Sequence, residues 1–259
     1  MNESLIMYEV SDRIATISLN RKEKRNALNP ELTARLTNCF REASNDPNVK
    51  VIILKAEGTT FSAGADLEYL QQLRQNSYEE NLADSRHLKD LFTSIYFCPK
   101  VVIAQVEGHA IAGGCGLATV CDVVFAVPEA KFGYTEVLLG FVPAIVSCFL
   151  LRKISESIAR QILLSGELFT AEQALQYGLI NFVTTKDIIS QKTREFALNL
   201  CTQTSTNSLL VTKKLISQIV NPDLEKNLEL AVQINASVRE SDDFKNGVQS
   251  FLSKEKINW

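Results

Sequence analysis

A short run of small residues, Ala112-Gly113-Gly114, lies between an apolar segment and a helix-forming one. Residues 101–106 before it (VVIAQV) are typical of a buried strand, and residues 115–120 can begin a helix. Adjacent glycines let the backbone approach a ligand closely, and free N–H groups at a helix start carry partial positive charge. Such a turn suits an oxygen atom that is, or becomes, negatively charged.

A second turn of the same kind and one carboxylate complete a candidate site. Ala63-Gly64-Ala65 follows the buried strand pattern at 51–54, and a helical pattern comes after it. If the fold brings the two turns together, each offers one N–H to the same oxygen and forms an oxyanion hole. Glu136 lies 23 residues after Gly113 in a glycine-flanked segment. A carboxylate beside two such donors suits proton transfer next to a carbonyl group.

The elements that must position these groups alternate between strand and helix over the first two-thirds of the chain. Residues 4–19 predict a β-hairpin that turns at Ser11-Asp12, and Asn29-Pro30 predicts the start of an amphipathic helix. The end of the chain has the pattern of three or four amphipathic helices. We therefore predict an α/β catalytic core at residues 1–195 and a C-terminal helical extension at 196–259, which together form one functional unit.

Composition excludes several classes of function. The chain has 259 residues and a net charge of −3, which gives no electrostatic reason to expect nucleic acid or a membrane surface as a partner. No apolar run approaches the ~20 residues needed to cross a bilayer, and the N-terminus lacks the pattern of a secretory signal. The six cysteines form no C-x-x-C pair, and there are only two histidines. We expect a cytoplasmic protein with free buried thiols and no metal site.

Further short motifs follow one another along the chain. They are Leu19-Asn20-Arg21 with Lys24-Arg25-Asn26-Ala27, Phe61-Ser62-Ala63-Gly64-Ala65-Asp66, Gly108 with Ala112-Gly113-Gly114, Cys121-Asp122, Phe132-Gly133 through Glu136, and the ending from Gly247 to Trp259. As an ordered set they resemble the crotonase, or enoyl-CoA hydratase/isomerase, family. The resemblance implies a crotonase-like ββα superhelix whose C-terminal helices mediate homotrimers or dimers of trimers. It also implies an acyl-CoA thioester as substrate and no cofactor beyond that coenzyme A.

The resemblance assigns roles to particular residues. The backbone N–H groups of Ala65 and Gly113 would stabilise the thioester enolate, and Glu136 would move protons. The positions that match the CoA-binding segments are Lys24, Arg25, Ala27, Ala63, Asp66 and Lys254. For Asp66, position alone also predicts a helix cap.

One departure from the family pattern concerns the catalytic acids. Family hydratases commonly use two glutamates, of which the second matches Glu136 and the first would fall on Gly116. Glycine cannot act as a general acid or base, so this chain does not fit ordinary two-glutamate hydration. We interpret Gly116 as making room in the acyl pocket.

The segments at 77–84 and 135–147 resemble bacterial methylglutaconyl-CoA hydratases. This predicts hydration of 3-methylglutaconyl-CoA to 3-hydroxy-3-methylglutaryl-CoA, in a leucine-degradation or related pathway. Our hypothesis is that Glu136 handles the protons of water and of C2, aided by the distal carboxylate of the substrate. That carboxylate needs a cationic or hydrogen-bonding partner, and Arg86, His87 and Tyr134 are the candidates in the acyl pocket.

Three other interpretations stay open. A generic enoyl-CoA hydratase/isomerase could move a double bond with one carboxylate alone. The same segments also resemble dehydratases of carrier-protein-bound 3-hydroxy-3-methylglutaryl thioesters in polyketide assembly. A non-catalytic acyl-CoA-binding protein would bind CoA without turnover.

Overall fold

The computed structural model describes residues 4–220 and 223–255 as two β-sheets surrounded by helices. The strands are β1 (Ile6–Ser11), β2 (Ile14–Leu19), β3 (Val51–Ala56), β4 (Thr60–Ser62), β5 (Val101–Val106), β6 (His109–Ile111), β7 (Val123–Ala126), β8 (Lys131–Gly133), β9 (Phe169–Thr170) and β10 (Phe182–Val183). The helices are α1 (Pro30–Asn45), α2 (Leu67–Leu73), α3 (Tyr78–Tyr96), α4 (Gly113–Thr119), α5 (Ala144–Leu150), α6 (Glu156–Ser165), α7 (Ala171–Gln176), α8 (Ile189–Gln203), α9 (Thr206–Val220), α10 (Leu224–Val238) and α11 (Asp242–Ser253), with short 3₁₀ helices at Lys22–Lys24 and Glu136–Leu139.

A tight turn joins the first two strands. Asp12 and Arg13 both have positive φ, at 51° and 66°, and two such residues match the twist of the strands that they connect. β1 and β2 pair antiparallel, and Ser11 lies opposite Ile14. The predicted hairpin is confirmed, with its turn one residue later than the sequence indicated.

Three successive strand pairs, β3-β4, β5-β6 and β7-β8, each place one strand in each sheet before a helical segment follows. The larger sheet has the order β1-β2-β3-β5-β7-β10 and the smaller sheet the order β4-β6-β8-β9. Strands β2, β3, β5 and β7 are parallel neighbours, and so are β4, β6 and β8. The chain is therefore an α/β protein with the predicted ββα superhelix. Because β4 and β6 are parallel, their carboxyl ends meet at one sheet edge.

The larger sheet is covered on both faces. Val51, Ile52, Ile53 and Leu54 are consecutive and all buried, and successive side chains of a strand point to opposite faces. Helix α8 packs on β3 and β5. The predicted division between core and extension, at 195/196, falls inside this helix.

The C-terminal helices fold back onto the core. The four helices α8 to α11 confirm the predicted helical end of the chain, although Trp259 lies outside the described residues. Helix α10 packs against α3 and α5, and α11 packs against α2 and the 3₁₀ helix that starts at Glu136. A Cβ atom on Gly140 would lie 2.3 Å from the Asp243 carbonyl oxygen, and one on Gly247 would lie 2.3 Å from the Leu139 oxygen. Glycine at both positions lets the backbone of α11 touch the segment that carries Glu136.

The cysteines are distributed through the core. All six are free, and five of them are buried while Cys39 is half-buried, as the sequence predicted. Among the residues that the structure describes, no helix is both long enough and apolar enough to cross a membrane.

Candidate active site

The two small-residue turns are in contact. β4 pairs with β6, so the segments that follow these strands emerge side by side. Gly64 has φ +83°, and a Cβ atom there would lie 2.9 Å from the Ala112 Cβ and 3.7 Å from the Gly113 nitrogen. A Cβ atom on Gly114 would lie 2.4 Å from the Ser62 carbonyl oxygen. Glycine is therefore required for this close approach, and the predicted meeting of the two turns is observed.

Each turn leaves a backbone N–H group without an acceptor. In the first turn, Leu28 donates to the Gly64 oxygen at 2.6 Å and accepts from the Asp66 nitrogen at 2.9 Å. This pairing leaves the Ala65 N–H with no acceptor among the described residues. Gly113 is the first residue of α4, so its N–H has no intrahelical acceptor. Both residues line one cavity of about 1400 Å³.

The backbone between β6 and α4 is unusual. Ala112 has φ +50° and ψ −123°, a conformation that costs a non-glycine residue on the order of 1–3 kcal/mol. Its N–H donates to the Gly133 oxygen at 2.7 Å, which ties the turn to β8. The neighbouring strands therefore impose the orientation in which α4 starts.

Glu136 is the first residue of a 3₁₀ helix and lines the same cavity. Its side chain is buried, and Oε2 has no hydrogen-bond partner among the described residues. Burial raises the pKa of this carboxyl to about 7, although a hydrogen bond from its own backbone N–H acts in the opposite direction. A carboxyl group with this pKa can both accept and return a proton near neutral pH.

The six residues matched to CoA-binding positions all line this cavity: Lys24, Arg25, Ala27, Ala63, Asp66 and Lys254. They come from distant parts of the chain, because α11 brings Lys254 to the loop after β2. Lys24 forms an ion pair with Glu68 at 2.8 Å. Arg41 of α1 lines the same cavity, and nothing in its helical sequence pattern distinguishes it from a solvated surface residue.

Asp66 supports the first turn. Its carboxylate caps α2 by accepting from the N–H groups of Glu68 and Tyr69, as its position predicted. Arg21 donates to it at 2.5 Å, and both side chains are buried. Burial alone would raise the pKa of Asp66, but the bonds from Arg21 and from the Glu68 amide outweigh burial and lower it. The ion pair therefore fixes the backbone beside Ala65.

The interpretation of Gly116 as making room in the acyl pocket is wrong. Gly116 is buried in α4 and is absent from the residues that line the cavity. A Cβ atom there would lie 2.5 Å from Val146 Cγ1 and 3.0 Å from Phe92 Cζ. Side chains of α5 and α3 thus fill the space where a glutamate would stand, and Val146 itself lines the cavity.

Three residues were predicted to bind the distal carboxylate of the substrate, and two of them do not line the cavity. Tyr134 is fully buried and hydrogen-bonds Thr119 Oγ1 at 2.5 Å, while Arg86 lies on the surface and pairs with Glu229 at 3.1 Å. Neither lines the cavity, whereas His87 does. His87 is nevertheless exposed, as Arg86 is, so the helical pattern of α3 could not indicate which of the two adjacent residues borders the cavity.

A buried arginine in the cavity wall was not predicted from the sequence. Arg239 follows α10 and is 3% exposed. The buried face of α10 includes Val232, Asn235 and Ala236, and residue 239 continues that face at helical spacing. An arginine on the apolar stripe of a helix was the available signal.

Comparison with known proteins shows one consistent similarity. The family model described as "Enoyl-CoA hydratase/isomerase" matches residues 9–259. A Thermus thermophilus protein whose name includes "enoyl-CoA hydratase" is 39% identical over 241 residues, which cover 93% of this chain and 95% of that protein. The 2,3-dehydroadipyl-CoA hydratase of Escherichia coli is 33% identical, with 98% of this chain and 97% of that protein covered.

Solved structures agree with the sequence comparison. The crystal structure of an enoyl-CoA hydratase from Bacillus halodurans superimposes with a TM-score of 0.89 at 27% identity. The match covers 95% of this chain and 100% of that chain. The similarity therefore extends over the whole superhelix and the C-terminal helices.

Proposed function

This chain belongs to the enoyl-CoA hydratase/isomerase family, and we propose that it adds water to the double bond of a branched enoyl-CoA that carries a second carboxylate. The substrate proposed is 3-methylglutaconyl-CoA, and the product is 3-hydroxy-3-methylglutaryl-CoA. The observation that carries the proposal is the buried carboxyl group of Glu136, whose Oε2 has no hydrogen-bond partner among the described residues and which lines the same cavity as the two adjacent turns.

The geometry supports an enolate mechanism. The thioester oxygen accepts hydrogen bonds from Ala65 and Gly113, two residues of adjoining turns that line the cavity; donors that belong to a fixed backbone need little reorganisation during the reaction. Ionised Glu136 accepts a proton from water as the water oxygen bonds to C3, and charge moves through C2 onto the thioester oxygen. Glu136 then returns that proton to C2, so the enzyme ends in its starting state. One carboxyl group can perform both transfers because its pKa is about 7.

The packing around Gly116 explains why the substrate class matters. Val146 and Phe92 leave no space for a second carboxyl group at this position, so orientation of the water must come from elsewhere. A distal carboxylate on the acyl chain supplies an additional acceptor. The Escherichia coli relative named as a 2,3-dehydroadipyl-CoA hydratase is named for the acyl group of a dicarboxylic acid, which supports this substrate class.

A substrate panel tests the proposal. We expect kcat/KM for 3-methylglutaconyl-CoA to exceed that for crotonyl-CoA by about 10²-fold, since a site built for a polar group discriminates against a substrate that lacks it. Absorbance at the enoyl-thioester band measures both reactions. Equal values for the two substrates would remove the distal carboxylate from the mechanism, and CoA affinity without any turnover would favour an acyl-CoA-binding protein.

Isomerisation is the second candidate, because moving a double bond also needs only one proton-shuttling carboxyl group. The same filled position beside Gly116 favours it. Adding a 3-enoyl-CoA to the panel separates the two reactions, because an isomerase forms the 2-enoyl-CoA without incorporating oxygen from water. A third arm presents the thioester on a carrier protein, and a preference for it would favour the polyketide-type dehydratase.

We also propose that the protein is a homotrimer, alone or as a dimer of trimers. Helix α9 has no buried residue and presents a row of apolar side chains to solvent: Val211, Leu215, Ile216, Ile219 and Val220. Ile219 is 70% exposed, and a contiguous apolar face of this kind is typical of an interface. Contact with a second copy of the chain would bury it.

The assignment of α9 to the interface predicts that charge on this face separates the subunits. The double variant I216D/I219D is expected to sediment with the single-chain mass of 28.8 kDa, because two carboxylates would have to lose water at the interface. The unmodified protein should sediment at three or six times that mass. A monomeric unmodified protein, or an assembly that the two substitutions leave unchanged, would contradict the assignment of α9.

A further inference from the structure

The cavity wall contains a cation to which neither the proton transfers nor the CoA-binding positions assign a role. Arg239 lies directly after α10, is 3% exposed and lines the same cavity as Glu136. A buried guanidinium is expensive unless its charge and its N–H groups are matched. The contacts of Arg239 therefore indicate which ligand group could bind beside it.

One edge of the guanidinium is already occupied. Nη1 donates to Asp84 Oδ2 at 2.6 Å, and a long contact of 3.5 Å reaches Asn81 Oδ1. Asp84 also accepts a hydrogen bond from the Tyr69 hydroxyl. The Asp84 carboxylate, which accepts from both Arg239 and Tyr69, balances the charge of Arg239 and holds one edge of the guanidinium against α3.

The hydrogen bonds to Asp84 and Asn81 leave the Nε edge of the guanidinium without an acceptor among the described residues. Nε of Arg239 is buried and has no acceptor among the described residues, and both hydrogen bonds described above use Nη1. Arginine carries five N–H donors in a planar fork that fits a carboxylate with two parallel bonds. The site therefore has more donors than acceptors, and a ligand carboxylate would correct the imbalance.

Arg239 lies close to the catalytic segment. Its guanidinium is 5.5 Å from the centre of the Phe141 ring, and the Phe141 N–H donates to the Glu136 carbonyl oxygen at 3.0 Å. One aromatic residue thus separates the arginine from the backbone of the proton-transferring residue. Arg239, Phe141 and Glu136 all line the same cavity, which is available to an acyl chain beside the two turns.

We propose that Arg239 is the specificity-determining residue that binds the distal carboxylate of the acyl chain, while Asp84 and Tyr69 position its guanidinium. This inference rests on the proposed function, since it names the partner of the carboxylate that the reaction requires. Arg239 takes the role that the sequence predicted for Arg86, His87 or Tyr134. Arg86 and Tyr134 lie outside the cavity, and His87 lines it but is exposed, whereas Arg239 is buried. Binding displaces water from the carboxylate and gives Arg239 its missing acceptor.

The decisive experiment compares ligands with and without the second carboxylate. Glutaryl-CoA and butyryl-CoA are saturated and do not react, so calorimetry measures their binding alone. We expect Arg239→Gln to weaken glutaryl-CoA binding by about 30-fold and butyryl-CoA binding by less than 3-fold, because a charge-assisted bidentate pair is lost. The same variant should lower kcat/KM for 3-methylglutaconyl-CoA by 30-fold or more, with little change for any uncarboxylated substrate.

Two further variants keep the test decisive. Arg239→Lys retains the charge and the pairing with Asp84 but not the fork, so it should fold and lose about 10-fold in the ratio of glutaryl-CoA to butyryl-CoA affinity. This variant decides the question if Arg239→Gln fails to fold. Arg86→Gln is the matched control, because Arg86 pairs with Glu229 on the surface of α3 and its loss should leave the ratio unchanged.

The outcomes separate the inference from the proposed function. Equal weakening of both ligands in the Arg239 variants would mean that the arginine only fastens α10 to α3, and the inference would be overturned. An unmodified enzyme that prefers glutaryl-CoA, together with Arg239 variants that keep this preference, would overturn the inference but leave the proposed function intact. An unmodified enzyme with no preference for the carboxylated ligand would overturn both.

Discussion

Glu136→Gln is expected to lower kcat by about 10³-fold or more, because general acid–base catalysis by a positioned group contributes on that order and position 116 is a glycine that cannot take over the proton transfer. The amide has nearly the same shape, so the affinity for the acyl-CoA product should change little. Steady-state rates and calorimetric binding of 3-hydroxy-3-methylglutaryl-CoA measure the two quantities. An active Glu136→Gln enzyme would overturn the assignment of the proton-transferring residue.

The same substitution has a predicted effect on stability, with a definite dependence on pH. The folded-state pKa of Glu136 is about 7, above its ordinary value of 4.5, so the folded protein binds a proton more tightly than the unfolded chain. Stability from this group is fully present below pH 4.5 and is lost as the pH rises through about 7. The difference corresponds to roughly 3 kcal/mol.

Glutamine cannot ionise, so Glu136→Gln should be more stable than the unmodified protein at pH 8 by up to about 3 kcal/mol, and similar to it at pH 4.5. Urea unfolding at both pH values checks this expectation. For the unmodified enzyme, kcat/KM should fall as the pH drops below about 7, because the base is then protonated. Glu156→Gln is the matched control, since Glu156 forms an exposed pair with Arg160 and should change neither profile.

Gly116→Glu restores the second glutamate of the family pattern and is expected to destabilise the fold rather than improve catalysis. The new Cβ would meet Val146 Cγ1 at 2.5 Å and Phe92 Cζ at 3.0 Å. Overpacking and a buried, unpaired carboxylate together should cost about 3 kcal/mol or more. For a chain of this length that corresponds to a fall in Tm of roughly 10 °C, measurable by differential scanning calorimetry.

Two companion variants identify the cause of this loss. Gly116→Ala adds only the Cβ atom, so it isolates the steric part of the effect. The double variant G116E/V146A removes the Val146 methyl groups that stand between α4 and the cavity, and it should recover part of the lost stability. If Gly116→Glu folds as stably as the unmodified protein, position 116 is not filled as described.

The sequence by itself determined the parts of the site that depend on local pattern. The two small-residue turns, Glu136 and the residues matched to CoA-binding positions could all be identified from the sequence, because short motifs between strand and helix signals carry that information. The hairpin and the start of α1 at Asn29-Pro30 followed from local hydrogen bonding in the same way. The ordered motifs carry the family resemblance, and that resemblance implied the superhelix in which the two turns can meet.

Only the tertiary structure decided what surrounds those groups. Gly116 suggested empty space, but the side chains that fill it belong to α5 and α3, and no local pattern could indicate those contacts. Arg239 and Asp84 are separated by 155 residues, so their pairing depends on how α10 packs against α3. Helical periodicity reports which residues share a face, whereas the partner of that face is chosen by packing over the whole chain. For this reason the residues that meet in the candidate site could be named from the sequence, while the walls of the cavity around them could not.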